Sequence, residues 1–262
     1  VKGGCGGRMG GKTGVSAWWR TILLLVSGLL LLLTAICFLS PGSALKAAMA
    51  LARRHAVLKL ESVRVGGHEV PYLVGGEGEP LVVLHGFGAN KDNWTMIAPF
   101  LTARFRVYAP DLPGFGDASR IDTASYDLES QLQRLAAFTR SVDLDEFHLG
   151  GNSMGGYLSA MFAQANPRQV KSLWLLAPAG AMGAEPSEVL QRIEAGENPL
   201  IAQTMAEFDQ LTTYCFHNAP KIPAQFKRPM LARARTEAAF NDKIFEDIFA
   251  EPIAFEGRID GL

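Results

Sequence analysis

The chain has 262 residues, 48% of them hydrophobic and 19% charged, and a formal net charge of −1. That length is enough for one large domain with a sizeable core. The balanced charge gives no basic footprint for a nucleic-acid partner. The three cysteines, Cys5, Cys37 and Cys215, are too scattered for a metal motif or a disulfide framework. Neither metal nor cofactor is therefore expected, and Cys215 reads as a buried or half-buried apolar filler.

Ile22 to Leu39 is an uncharged apolar run, close to the shortest length that crosses a bilayer. Trp18 and Trp19 precede it, as interfacial aromatics do, and Lys2, Arg8, Lys12 and Arg20 lie upstream with no acidic residue. The run is long for a signal-peptide core, so the reading is an uncleaved membrane anchor. The alternative is a signal segment cut near Gly42-Ser43-Ala44, which gives a secreted protein. Lys46, Arg53, Arg54 and Lys59 balance the upstream positives, but Arg20 abuts the span directly. That leans the topology to an N-terminus inside and a domain on the extracytoplasmic, periplasmic side. Ala44 to Leu60 reads as a basic helix with Leu45, Met49 and Ala52 on one face, able to lie on a membrane surface or to act as a linker.

Ser62–Val65 and His68–Val74 alternate around Gly66-Gly67, a β-hairpin signal. Leu81–Leu84 is continuously apolar, as a strand buried on both faces requires. A helix over Trp94–Ala103, a strand over Arg106–Asp111 and an amphipathic helix over Tyr126–Val142 follow, with Leu128, Leu132, Leu135 and Phe138 on one side. Phe147–Gly150 is a strand, Gly156–Asn166 a helix and Lys171–Leu176 another strand. Strands alternating with helices predict a mostly parallel sheet in the α/β class. From Pro186 to Leu211 and from Ile222 to Ala250 the pattern is helical with no strand, which predicts a lid. Its apolar faces are Phe208, Leu211, Tyr214 and Phe216, and Ile244, Phe245, Ile248 and Phe249. The resulting division is an anchor and juxtamembrane helix over 1–60, a core over 61–182, a helical lid over 183–251 and a return to the core over 252–262.

Three blocks end predicted strands: Leu84-His85-Gly86-Phe87-Gly88, Asp111-Leu112-Pro113-Gly114-Phe115-Gly116 and Gly151-Asn152-Ser153-Met154-Gly155-Gly156. The last is a G-x-S-x-G turn, which lifts a serine hydroxyl out of a strained strand-to-helix hinge. In this order the blocks resemble the α/β-hydrolase family over about Glu61 to Leu262, most nearly its membrane-associated monoacylglycerol lipases and related bacterial esterases. The resemblance implies that Ser153 is the nucleophile of an acyl-enzyme mechanism. It implies an oxyanion hole from the backbone N–H groups of Phe87 and Met154. Gly86 and Gly88 would let the backbone approach substrate, while Trp94 and Asp111 would secure loops. A serine at 153 departs from the aspartate of dehalogenases and epoxide hydrolases and from the cysteine of dienelactone-type relatives.

A serine also needs a histidine base and an orienting carboxylate, which this family places after the nucleophile. None of His55, His68, His85, His148 or His217 suits the position, and Ala177-Pro178-Ala179-Gly180 offers no acid after the sixth strand. Glu185 and Glu188 read as a solvated helix start. The expectation is a domain whose last strands and helices, with its acid and base, are not in this chain, so that the chain alone is poorly soluble and inactive. The activity expected of the parent is hydrolysis of lipid-like carboxylic esters. A carbon–carbon bond hydrolase with the same serine, and a non-catalytic binding protein on the same fold, are the alternatives.

Overall fold

A computed structural model describes residues 13–181, 187–250, 253–255 and 259. The chain divides into two compact units, Val1–Lys46 and Ala47–Leu262. The first holds helix α1 (Thr13–Leu39), whose stretch Trp18–Leu39 has a mean hydropathy of 2.9 and is long and apolar enough to cross a membrane. Helix α2 (Pro41–His55) follows and takes in Gly42-Ser43-Ala44.

The helix expected to run to Leu60 stops at His55. Leu58 already belongs to β1 (Leu58–Val65), which pairs antiparallel with β2 (His68–Gly75) from Leu58 opposite Gly75 to Val65 opposite His68. The core therefore begins three residues before the expected boundary at Glu61. The reason is tertiary: Leu58 is buried in a cluster with Ala56 and Leu73, and that burial outweighs local helix propensity.

The sheet continues through β3 (Glu79–Leu84), β4 (Phe105–Pro110), β5 (Phe147–Asn152) and β6 (Val170–Leu176). Its spatial order is β1-β2-β4-β3-β5-β6, with β2 antiparallel to β4 and the last four strands parallel. Side chains leave it alternately. Val82, Leu84, Tyr108 and Leu149 face α4 (Leu128–Ser141) and α5 (Met154–Ala165), meeting Leu135, Phe138, Leu158 and Phe162. Leu81, Val83, Val107 and Ala109 face the other way, onto Trp94, Ala98 and Ala56. Each large side chain so buried contributes about 1.5–3 kcal/mol. The four residues Leu81–Leu84 are all buried, as their continuous apolar run requires. At the far edge, β6 pairs with β5 alone among the described residues, and Trp174 on it remains 36% exposed.

The helix expected over Trp94–Ala103 is two short pieces, a 3₁₀ turn at Lys91–Trp94 and α3 (Ala98–Leu101). α2 lies along them. Arg53 donates through Nε and Nη2 to the two carboxylate oxygens of Asp92, at 2.6 and 2.5 Å, and Thr102 Oγ1 donates to Ala56 O at 3.1 Å. On α2, Met49 and Ala52 are half-buried.

Beyond β6 the chain is helical: α6 (Glu188–Glu194), α7 (Met205–Cys215) and α8 (Ala224–Phe249). Ser187 caps α6, and Thr204 with Glu207 forms a capping box on α7, which explains where these helices start. Cys215 is exposed at the end of α7 and is not the filler expected of it. The segment Ile253–Phe255 returns to the core: Phe255 N–H donates to Gly180 O at 2.9 Å and its ring stacks on Tyr157 at 5.4 Å.

Candidate active site

Ser153 sits at the junction of β5 and α5 with φ 53° and ψ −120°, a left-handed conformation that costs a non-glycine residue about 1–3 kcal/mol. The surrounding backbone holds it there. Ser153 N–H donates to Leu176 O at 3.1 Å, and Ser153 O accepts from Tyr157 N–H and Ala179 N–H, both at 3.0 Å. The glycines are sterically required. A Cβ on Gly151 would lie 2.1 Å from Gly155 O, and one on Gly155 would lie 2.4 Å from Leu84 O and 2.5 Å from His85 O. Helix α5 therefore starts directly against the end of β3. The Ser153 hydroxyl has no hydrogen-bond partner among the described residues.

The turn after β3 stands beside this serine. A Cβ on Gly86 would meet Ser153 Cβ at 3.2 Å, so only a residue without a side chain lets the two backbones come so close. The amides of Phe87, next in sequence, and of Met154, first in α5, donate to no acceptor among the described residues. Two free N–H groups flanking a strained serine can hold an oxyanion. Phe87 is half-buried, its ring edge-on to Phe115 at 5.3 Å. Gly88 has φ 66°, the left-handed turn conformation glycine allows.

The turn is pinned at both ends to two consecutive residues of the loop after β4. At its start, His85 Nδ1–H donates to Gly86 O at 2.8 Å and His85 Nε2 accepts the Leu112 N–H at 3.0 Å. This bonding makes the imidazole neutral, and its complete burial lowers its pKa. At its end, Asp111 Oδ1 accepts the Lys91 N–H, and Lys91 Nζ lies 2.7 Å from both Asp111 Oδ2 and Asp117 Oδ2. Asp111 and the Lys91 side chain are fully or almost fully buried. Burial works against ionisation of Asp117, yet Lys91 and Arg233 hold its carboxyl below the ordinary range. A Cβ on Gly116 would collide with the Asp111 carboxyl at 2.4 Å, so that glycine leaves room for the buried ion pair.

Asp111 therefore secures loops, as expected, and Trp94 does so by packing on Trp174 at 6.0 Å. Lys91 was not singled out by the sequence. Its position just after the glycine turn was a possible signal, but a lysine there reads as a solvated one. An open cleft of about 370 Å³ lies beside the elbow, lined by His85, Trp94, Ile97, Asn152, Leu176 and Ala177 among others.

The five histidines are all accounted for. His55 and His217 are exposed on α2 and after α7. His68 is buried in the first hairpin, bonded to Gly66 O and Tyr126 Oη at 3.1 Å. His148 contacts Ser172 Oγ and Glu79 Oε2 at the opposite end of β5 from Ser153. His85 braces the turn. None hydrogen-bonds Ser153. Glu188 begins α6 and accepts from Tyr214 Oη at 2.9 Å, while Glu185 lies outside the described residues. No cluster of His, Cys, Asp and Glu fit for a metal occurs among the described residues.

Sheet order, elbow and pinned turn define a known class. Residues 79–219, more than half of the chain, match the alpha/beta hydrolase fold, and the chain belongs to that family. Among individual proteins, it is 35% identical over 183 residues to Lipase 3 of Moraxella sp. (strain TA144), covering 70% of this chain and 58% of that lipase. It is 29% identical over 240 residues to monoacylglycerol lipase abhd6-B of Xenopus laevis, covering 85% and 71%. The crystal structure of a membrane phospholipase A superposes with a TM-score of 0.80 at 39% identity, covering 91% of this chain and 78% of that one. The chain thus spans a little over half the length of the Moraxella lipase.

Proposed function

We propose that this chain carries the nucleophile and oxyanion hole of a serine hydrolase that cleaves carboxylic esters of lipid-like acyl groups, monoacylglycerols among them. The single observation that carries the reading is the strained Ser153 beside the Gly86-Phe87 turn, its hydroxyl and the amides of Phe87 and Met154 without a hydrogen-bond partner among the described residues. Ser153 Oγ attacks the ester carbonyl as a base takes its proton, the carbonyl oxygen takes the negative charge toward the two amides, and the alcohol leaves from the collapsing tetrahedral intermediate with that proton. Water then releases the acyl group. Each amide is worth roughly 3 kcal/mol of barrier. The naming of the relatives as lipases and the likeness to a membrane phospholipase A support the same class.

Among the described residues no histidine hydrogen-bonds Ser153, so the reading assigns the base and acid of this reaction to none of them. Helix α1 tethers the enzyme, with the catalytic unit on the extracytoplasmic side. The reading keeps 1–60, 61–182, 183–251 and 252–262 as its plan of anchor, core, lid and return, with the first core strand starting at Leu58.

A fluorophosphonate probe on the full-length protein tests the reading. Labelling that vanishes in Ser153→Ala is the expected result, and an unreactive Ser153 would favour a non-catalytic binding protein. Turnover of acyl esters against a ring-cleavage diketone separates ester from carbon–carbon bond hydrolysis.

A further inference from the structure

Helix α8 is fastened along one face to the loop that follows β4. Arg233 Nη2 lies 3.0 Å from Asp117 Oδ1, and Arg120 Nη2 lies 3.0 Å from Glu237 Oε1. Lys243 Nζ donates to Ala124 O at 2.8 Å, and Tyr126 N–H donates to Asp247 Oδ2 at 2.8 Å. These positions recur at helical spacing, so one face carries all the fastenings. Between them Phe240 packs edge-on to Tyr126 at 5.3 Å, and Ile244 is fully buried. The fit is tight enough that a Cβ on Gly114 would lie 2.7 Å from Ile244 Cδ1. By contrast, no residue of α6 or α7 is buried. α8 is therefore a fixed wall, and the two preceding helices are the loosely seated part of the helical segment.

This wall presents one ring to the oxyanion turn. Phe245 meets Phe87 edge-on, centroids 5.9 Å apart at 81°, and is backed by Phe249 at 4.4 Å. It is half-buried, unlike its neighbour Ile244. Phe87 carries both the amide that would receive a carbonyl oxygen and the ring that Phe245 meets, which puts Phe245 one ring contact away from a chain bound at that amide. The ring has little room to yield, with Phe249 behind it and the helix fastened on either side.

We propose that Phe245 is a specificity-determining residue that limits how long a linear acyl chain the site accepts. The nature of the ligand, an alkyl chain bearing a carboxyl carbon, rests on the ester-hydrolase reading above. Each methylene that finds room in an apolar site strengthens binding by a factor of about four, so the limit reads out as the chain length at which affinity stops rising.

The test measures binding, not turnover. Saturated fatty acids of graded length are titrated against a fluorescent fatty-acid probe on the full-length protein, wild type and the variants Phe245→Ala, Phe245→Leu and Phe245→Trp. The expected result is a plateau that moves to longer chains in Phe245→Ala, by less in Phe245→Leu, and to shorter chains in Phe245→Trp. A plateau that stays in place, or an equal loss at every length, overturns the proposal. Phe245→Leu keeps the test open should the alanine variant fold poorly, as judged by its urea midpoint. Fluorophosphonate labelling of the same samples is independent: a plateau that moves in a protein that never labels would sink the hydrolase reading and leave the role of Phe245 standing.

Discussion

Replacing Gly155 by alanine separates the stability of the elbow from its chemistry. The new Cβ would lie 2.4 Å from Leu84 O and 2.5 Å from His85 O, both backbone atoms that cannot rotate away. Restoring ordinary contact moves the start of α5 about 1 Å from the end of β3. Overpacking of this kind costs about 1–3 kcal/mol, while alanine in place of a helical glycine returns about 1 kcal/mol. The net loss of stability is then only about 0–2 kcal/mol. The chemistry suffers more, because the same shift separates Ser153 and the Met154 amide from the Phe87 amide, and a misplacement of about 1 Å costs about 10²-fold in rate. Urea denaturation gives the first quantity, and the rate of fluorophosphonate labelling of Ser153 in the full-length protein gives the second. A variant that labels within about threefold of wild type would refute the argument that the close approach of α5 to β3 sets the site.

Ser153→Gly should abolish labelling and yet raise stability by about 1 kcal/mol in urea denaturation, since relief of left-handed strain exceeds the entropy cost of glycine. Lys91→Met leaves the Asp111 carboxylate buried without its cation and should cost about 3–5 kcal/mol, read as a fall in the urea midpoint at constant m-value; a loss under about 1 kcal/mol would mean that water screens the pair. Burial lowers the pKa of His85, and of His68 in the same direction. The unfolded chain therefore takes up protons below its ordinary value of about 6.5 while the folded chain does not. Stability should be flat above that pH and fall below it by up to about 1.4 kcal/mol per pH unit for each histidine. Urea titrations between about pH 7.5 and 5.5 measure this slope, and His85→Gln should remove about half of it.

Much of the fold was legible because its signals are local. The continuous run Leu81–Leu84 needs burial on both faces wherever it sits, and Gly66-Gly67 between alternating segments makes a hairpin without help from elsewhere. G-x-S-x-G singled out Ser153 because the strain and the close approach of α5 that require its glycines are written within five consecutive positions. Local signals failed where long-range contacts decide. The helix expected to reach Leu60 ends at His55 because Leu58 gains a buried place against Leu73, a contact invisible in the sequence around either residue. Cys215 looked apolar enough to be buried, but it falls at the exposed end of α7.

By its order of residues alone, this chain determined an apolar N-terminal helix, an alternating sheet and helix plan, and a serine on a glycine hinge. Only tertiary structure decided what holds that hinge ready. The Lys91–Asp111 pair joins residues 20 apart in sequence, the Leu112–His85 bond residues 27 apart, and the Asp247–Tyr126 bond residues 121 apart. The physical reason is that burial and hydrogen-bond geometry belong to the assembled set of contacts, whereas steric strain and hydrophobic period belong to each short stretch of chain.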